Sequence, residues 1–296
     1  MNKIAITTGD PNGIGAEITV KALNKLDIPT EKIILISNKK ILDYYGKLKK
    51  DYEILEIPYN ANIECGKLTK ESGEFSFQSV KKACKINAKA IVTAPVAKNA
   101  LYLAGHKFNG QTEILQKFLA HDNQLAEMLF VAGKFRVLLL TRHVPLKEIN
   151  ISKELVIEKI SNLKKFFAEH LNIQNPKFAL CGFNPHSGEE GILGREEIDI
   201  LIPAAKELRK KGINITNPLP ADTLFVKALD YDCCIANYHD QGLIPIKTVA
   251  GIKTVNMTIG LDIIRTSPGH GTAFDIAGKN IADETGMIEA IKAVLD

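Results

Sequence analysis

No apolar run in this 296-residue chain approaches the ~18 residues that a membrane-crossing helix needs, so no such span is expected. The opening MNKIAITTGDPNG reads as a strand entering a turn. It has neither the apolar stretch nor the cleavage-like site of a secretory signal. CxxC is missing, and the five cysteines (Cys65, Cys84, Cys181, Cys233 and Cys234) are odd in number. That argues against a disulfide framework. Three of them lie in or beside strand-like apolar runs, where a free thiol packs as a small hydrophobe. The expected setting is a reducing one, the cytoplasm. A dense basic stripe interleaved with aromatics is also missing. The net charge of +4 comes from scattered lysine pairs such as Lys39-Lys40, Lys81-Lys82 and Lys164-Lys165. These read as solvated helix faces, and no nucleic-acid partner is expected. There is no internal repeat, low-complexity segment or Pro/Ser-rich linker. A division into two domains must therefore pass through a sheet rather than a tether.

What is present is an ordinary globular composition, 45% apolar and 24% charged, in a chain long enough for two domains. Strand-like and helix-like segments alternate. IAITT precedes a helix from about Gly15 to Leu26, and IILIS precedes one near Lys40 to Lys49. A longer helix is expected after Ser72, to about Ile86, followed by the strand AIVTAP. TEILQKFLA reads as helical with Thr112 as its N-cap. EMLFVAG and FRVLLLT, separated by a Gly-Lys turn, signal a hairpin. Ser152 to Leu171 has helical period with Ser152 as N-cap. KFALCGF, CCIANY and TVNMTIG are further short strands, and a helix from about Glu284 to Leu295 closes the chain. The pattern predicts an α/β protein with mixed, mostly parallel sheets and helices on both faces.

Three histidines stand just past predicted strands: His143 after FRVLLLT, His186 after KFALCGF and His239 after CCIANY. In parallel α/β sheets, ligands bind outside the carboxyl ends of the strands. Three imidazoles at one such edge make a divalent-metal ligand set with an open position for substrate. A single loop histidine is usually plain surface, but three in equivalent positions call for one cause. Asn184 and Asp240 are placed to orient the rings.

Other motifs admit two readings. GDPNGIG, Gly9 to Gly15, is either an anion-cradling loop or a plain strand-to-helix turn, and it fits neither standard glycine-rich nucleotide pattern. Asp222 in PLPADTLF is either a helix N-cap or a carboxylate that orients or deprotonates a hydroxyl. Lys247, Asn256 and Arg265 can form a clamp for a carboxylate or phosphate, although single surface cations usually only meet solvent. HGTAFDIAGK, His270 to Lys279, reads as a Gly-rich turn opening a helix, suited to a nucleotide or phosphate.

TTGDPNGIGAE, TAPVAKNAL, GFNPHSGEEGILGREEID, PLPADTLF, YHDQGLIPIK and IRTSPGHGTAFDIAGK together resemble the 4-hydroxythreonine-4-phosphate dehydrogenases of pyridoxal phosphate biosynthesis. The resemblance extends almost to the last helix. HGTAFDIAGK is also similar to the cofactor segment of the isocitrate and isopropylmalate dehydrogenases, whose fold that family shares. The resemblance implies two α/β domains around a cleft, approximately 1–110 with 257–296 and 111–256. It implies a homodimer with the active site at its interface, one metal histidine coming from the other subunit. The implied metal ligands are His143, His186 and His239, holding zinc, magnesium or cobalt. The implied substrate residues are Gln111, Thr112, Lys247, Asn256 and Arg265, with Asp222 and Lys247 in catalytic roles. NAD, or NADP, would lie on His270, Gly271, Thr272 and Asp275. One departure concerns the chemistry directly: the family commonly has GHTE where this chain has GQTE. Gln111 can hydrogen-bond a substrate oxygen but cannot carry charge or shuttle a proton. Gly269 also stands where many relatives have an acidic residue.

The implied reaction oxidises 4-phosphohydroxy-L-threonine to a 3-keto acid, which decarboxylates to 3-amino-2-oxopropyl phosphate. The alternatives are a dehydrogenase of a related four-carbon sugar-acid phosphate, or a metal-dependent hydrolase or aldolase that would leave HGTAFDIAGK without a role. A non-catalytic binding protein on the same scaffold is favoured only by Gln111.

Overall fold

The computed structural model describes residues 3–121 and 124–295. The chain forms two compact units, Met1–Ala126 with Ile252–Asp296, and Glu127–Gly251. Unit 1 opens with β1 (Ile4–Thr7), α1 (Gly15–Lys25), β2 (Ile33–Ser37), α2 (Lys39–Tyr45) and β3 (Glu53–Glu56). It continues with α3 (Lys70–Ala83), β4 (Ala90–Thr93), α4 (Lys98–Leu103) and α5 (Gln111–Leu119). Unit 2 holds β5 (Glu127–Ala132), β6 (Phe135–Leu139), α6 (Lys153–His170), β7 (Lys177–Leu180) and α7 (Ile202–Lys210). Then come β8 (Asn214–Ile215), α8 (Ala221–Leu224), β9 (Cys233–Ala236) and α9 (His239–Ala250). The chain returns to unit 1 with β10 (Val255–Ile259), β11 (Ile264–Pro268) and α10 (Thr285–Lys292).

In unit 1 the strands run β3-β2-β1-β4-β11-β10. All pairings are parallel except β10 with β11. The two-residue period of a strand explains why both faces are covered. Ile4 and Ile6 of β1 enter one core with Ile18 of α1 and Met287 of α10. Ala5, between them, enters the other with Phe75 of α3 and Ile114 of α5. In unit 2 the order is β5-β6-β9-β7-β8. The expected hairpin is β5–β6, antiparallel, and β6, β9, β7 and β8 are mutually parallel neighbours. This is the expected α/β architecture with mixed, mostly parallel pairing. Helix α9 lies close on the sheet because residue 242 is glycine. A Cβ there would stand 2.6 Å from Leu139 Cδ2 and 3.0 Å from Ala236 Cβ.

The units divide after Ala126 and after Gly251, where the sequence reading set approximate bounds at 110 and 256. Helix α5 stays in unit 1 because Ile114 and Leu115 pack into the same core as Phe75. Strand β10 stays there because it pairs with β11. Local caps differ as well. Helix α3 starts earlier than expected, at Lys70, with Thr69 as its cap, the hydroxyl accepting from Ser72 N. Gly110 precedes α5, so Thr112 is a buried residue within that helix and not its cap. Ser152 caps α6 as expected, accepting from Leu155 N at 3.1 Å. All five cysteines are free thiols.

Candidate active site

The carboxyl ends of β6, β9 and β7 lie side by side in unit 2, and each leads into a histidine loop. His143 follows β6, and His239 opens α9 after β9. Their ring centroids are 5.6 Å apart, with the planes at 45°. Asp240 Oδ1 lies 2.7 Å from His239 Nδ1. A carboxylate only accepts, so it fixes the proton on Nδ1 and leaves the Nε2 lone pair free for a cation. That donor set suits a divalent ion. His186 is carried differently, in a left-handed turn. His186, Ser187, Glu189 and Glu190 have φ of 50°, 52°, 41° and 55°. Left-handed backbone costs about 1–2 kcal/mol for each such residue. The His186 ring is exposed, its Nδ1 3.9 Å from Glu189 Oε1. Among the described residues, no group of three or more His, Cys, Asp or Glu side chains within this one chain is placed to hold a metal.

Among the described residues, Asn184 makes no hydrogen bond to an imidazole. Its Nδ2 donates to Glu196 Oε2 at 2.6 Å and to Glu197 Oε2 at 3.0 Å. Glu197 Oε1 accepts from the backbone N–H groups of Phe183 and Asn184, both at 2.7 Å. Glu197 is buried at the start of a short π-helical stretch, Glu197–Leu201, that runs into α7. Sequence reasoning passed over it, because the second of two adjacent glutamates near a helix start is unremarkable.

Asp222 lies in the first turn of α8 and is exposed; Pro220 occupies the N-cap position and no side chain caps the helix. The capping explanation for Asp222 therefore fails. Helix α8 packs against the turn that carries His186. Lys247 lies in the last turn of α9, the helix that His239 opens, and is exposed.

The remaining candidates lie in unit 1. Arg265 of β11 is buried, and its Nε and Nη2 donate to the hydroxyl of Thr93, the last residue of β4, at 2.8 and 2.6 Å. Burial holds its pKa down to about 10, against a smaller upward pull from Glu113. Gln111 Nε2 donates to Ala94 O at 3.1 Å, just past the same strand end. Gln111 Oε1 and Asn256 Oδ1 are enclosed without a hydrogen-bond partner. A buried cation beside unsatisfied acceptors fits a ligand that brings both an anionic group and hydrogen-bond donors.

The segment from His270 differs from its expected form. No helix opens there: the backbone turns through left-handed Ala273, Gly278 and Asn280, and α10 begins only at Thr285. His270 Nδ1 lies 3.0 Å from Gly271 O, and its Nε2 is enclosed without a partner. Gly271 is exposed, and the space beyond its Cα is open, so its backbone is accessible to a ligand. Thr272 is half-buried and Asp275 exposed. The GDPNGIG loop is a structural turn. Its Asp10, Gly13 and Ile14 N–H groups bond Pro95 O, Asp10 O and Thr272 O. Asp10 itself is buried, accepting from Asn12 N at 2.9 Å, and burial raises its pKa to about 6.

A family profile described as "Pyridoxal phosphate biosynthetic protein PdxA" matches residues 4–294. A 4-hydroxythreonine-4-phosphate dehydrogenase of Sulfurihydrogenibium sp. is 40% identical, with 100% of this chain and 98% of that protein covered. A D-threonate 4-phosphate dehydrogenase of Cupriavidus necator is 38% identical, with 98% and 95% covered. The crystal structure of 4-hydroxythreonine-4-phosphate dehydrogenase from Klebsiella pneumoniae matches with a TM-score of 0.88 at 30% identity, covering 100% of this chain and 99% of that one. Isocitrate dehydrogenase from Methylococcus capsulatus, at 15% identity and a TM-score of 0.53, shares the fold; 100% of this chain and 85% of that one are covered.

Proposed function

The chain belongs to the PdxA family, and from that premise we propose that it oxidises 4-phosphohydroxy-L-threonine with NAD, or NADP, in pyridoxal phosphate biosynthesis. The product is the 3-keto acid, which decarboxylates to 3-amino-2-oxopropyl phosphate. The observation that carries this reading is 40% identity, over the whole chain, to a 4-hydroxythreonine-4-phosphate dehydrogenase. Relatives that are dehydrogenases by name also disfavour a hydrolase or aldolase.

His143, His186 and His239 would hold a divalent ion, zinc, magnesium or cobalt. The adjacency of His143 and His239, with no third ligand beside them among the described residues, supports a site completed by a second copy. Exposed apolar side chains in unit 2 support that homodimer: Val226 and Leu229 after α8, and Ile244 and Val249 on α9. When bound, the ion would lower the pKa of the substrate's secondary hydroxyl, and the nicotinamide would take up the hydride. Arg265 would bind an anionic group of the substrate and Lys247 a second. Asp222, exposed and free of a capping role, would take the hydroxyl proton. Gln111, Thr112 and Asn256 would fix the substrate's orientation, the two amides accepting from its donors. His270, Gly271, Thr272 and Asp275 would line the cofactor. Five free thiols support a reducing, cytoplasmic setting; among the described residues no helix is long and apolar enough to cross a membrane.

A second substrate, D-threonate 4-phosphate, has specific support in the 38%-identical relative of that name and in Gln111. The test is NADH formation at 340 nm with each substrate, with divalent metal and with chelator. Chelator-sensitive turnover of 4-phosphohydroxy-L-threonine is expected. Turnover of D-threonate 4-phosphate alone would move the assignment to that substrate. No turnover of either by metal-loaded protein would overturn it.

A further inference from the structure

We propose that Glu197 is a positioning residue for His186, holding the left-handed turn in the one shape that presents the imidazole to a divalent cation. The inference rests on the metal role given to His186 above.

The turn has unfavourable backbone angles, so something outside it must define its shape. The backbone hydrogen bonds at the ends of the turn are local: Ser187 N to Asn184 O at 3.1 Å, Ile192 N to Glu189 O at 3.1 Å, and Leu193 N to Gly188 O at 3.0 Å. The outside support centres on Glu197, with Glu196 Oε2 sharing the Asn184 amide. Glu197 is 2% exposed, and its two oxygens collect three N–H groups: Phe183 N, Asn184 N and Asn184 Nδ2. All three belong to the segment immediately before His186. The glycines of the turn are fitted to the same group. A Cβ at Gly188 would stand 2.7 Å from Glu197 Oε2, and one at Gly194 would stand 2.3 Å from Asn184 Nδ2. Backbone, amide and carboxylate thus pack with no room for a methyl group.

The charge of Glu197 matters as well as its shape. Each of the three partners is a donor, so the site needs acceptors at both oxygens. Glutamine would place an NH2 against Asn184 Nδ2, donor facing donor. Turning the Asn184 amide over would set its oxygen against Glu196 Oε2. No arrangement of the two amides satisfies every contact. Loss of such outer support typically weakens metal binding by about tenfold to a hundredfold.

The experiment is a Co2+ titration of the full-length protein, followed by visible absorption. It is paired with hydrogen exchange at the Phe183 and Asn184 amides and a thermal melt. H186A tests the underlying reading: wild-type Co2+ affinity in that variant removes the metal role of His186, and this proposal with it. Given weakened binding in H186A, E197Q should bind Co2+ about tenfold to a hundredfold more weakly than wild type, with faster exchange at both amides. Its KM for NAD should not change. If E197Q does not fold, N184A, which removes the amide that Glu197 holds, carries the same expectation. Wild-type Co2+ affinity in the folded variant, despite lost amide protection, would overturn the proposal.

Discussion

The guanidinium of Arg265 rests on the hydroxyl of Thr93, with Nε and Nη2 at 2.8 and 2.6 Å. No carboxylate forms an ion pair with Arg265 among the described residues, although Glu113 acts on it from further away. A cation is therefore buried against neutral donors and acceptors, and burial lowers its pKa from the ordinary guanidinium value to about 10. For a base held below its unfolded pKa, the folded state pays in full at every pH below about 10, and relief comes only as pH rises above 10 towards the unfolded value. At neutral pH that cost is on the order of 3 kcal/mol.

Arg265→Met should accordingly leave the ligand-free protein as stable as wild type or more so, by about 1–3 kcal/mol. Wild-type protein should gain melting temperature with millimolar inorganic phosphate, and the variant should not. Thermal melts with and without phosphate check both arms, and kcat/KM should fall by more than about a hundredfold. A variant that still responds to phosphate would show that the anion is held elsewhere.

Gln111 spends its donor on Ala94 O and keeps an enclosed, unpartnered acceptor. One hydrogen bond to a neutral group is worth about 1 kcal/mol. Gln111→Ala should lower kcat/KM about five- to tenfold, mostly through KM, because the bond forms equally in the bound substrate and in the transition state. Steady-state kinetics with each phosphorylated acid would show which substrate supplies the donor. The one whose KM does not move makes no contact there.

Asp10 gives a pH dependence. Its folded pKa, about 6, lies above the ordinary 3.8 because it is buried. A carboxyl raised in this way favours the folded state fully below pH 3.8, and that contribution is lost as pH rises through 6. Asp10→Asn should therefore stabilise the protein at pH 7.5, by up to about 2–3 kcal/mol, and have little effect near pH 4. Denaturant melts at the two pH values decide it. Equal effects at both would mean that the packing of the loop, not the charge, dominates.

How much of this was legible in the sequence follows from the range of each interaction. The alternation in IAIT, the Gly133-Lys134 hairpin and the Ser152 cap depend on neighbours a few residues away, and they could be read directly. The positions of the three histidines after β6, β7 and β9 were legible because a strand end is itself a local signal. Thr93 beneath Arg265 was not, because the contact joins two strands far apart in sequence. Glu197 was hidden for a related reason: its partners, Phe183 and Asn184, reach it only once the chain has turned through left-handed angles. The same kind of backbone, at Ala273 and Asn280, defeated the expectation of a helix after His270. Segments whose conformation is imposed by distant contacts are where local preference is least informative.

Lys159 and Glu127 form a buried ion pair in unit 2, 8% and 2% exposed, linking α6 to β5. Burial raises the pKa of Glu127, opposed first by Lys159 and then by Arg142, the residue before His143. Removing one partner leaves a buried charge, which typically costs about 3–5 kcal/mol, whereas replacing both by apolar groups is often neutral. Lys159→Met should thus be strongly destabilising near pH 7.5. The loss should shrink as pH falls, because the isolated carboxylate then takes up a proton and a neutral acid is cheaper to bury. The double variant Lys159→Met, Glu127→Met should recover most of the stability. Urea melts of the two variants across pH test this directly. A double variant as unstable as the single one would mean that Glu127 is needed by Arg142 as well as by Lys159, and would tie this buried pair to the His143 loop.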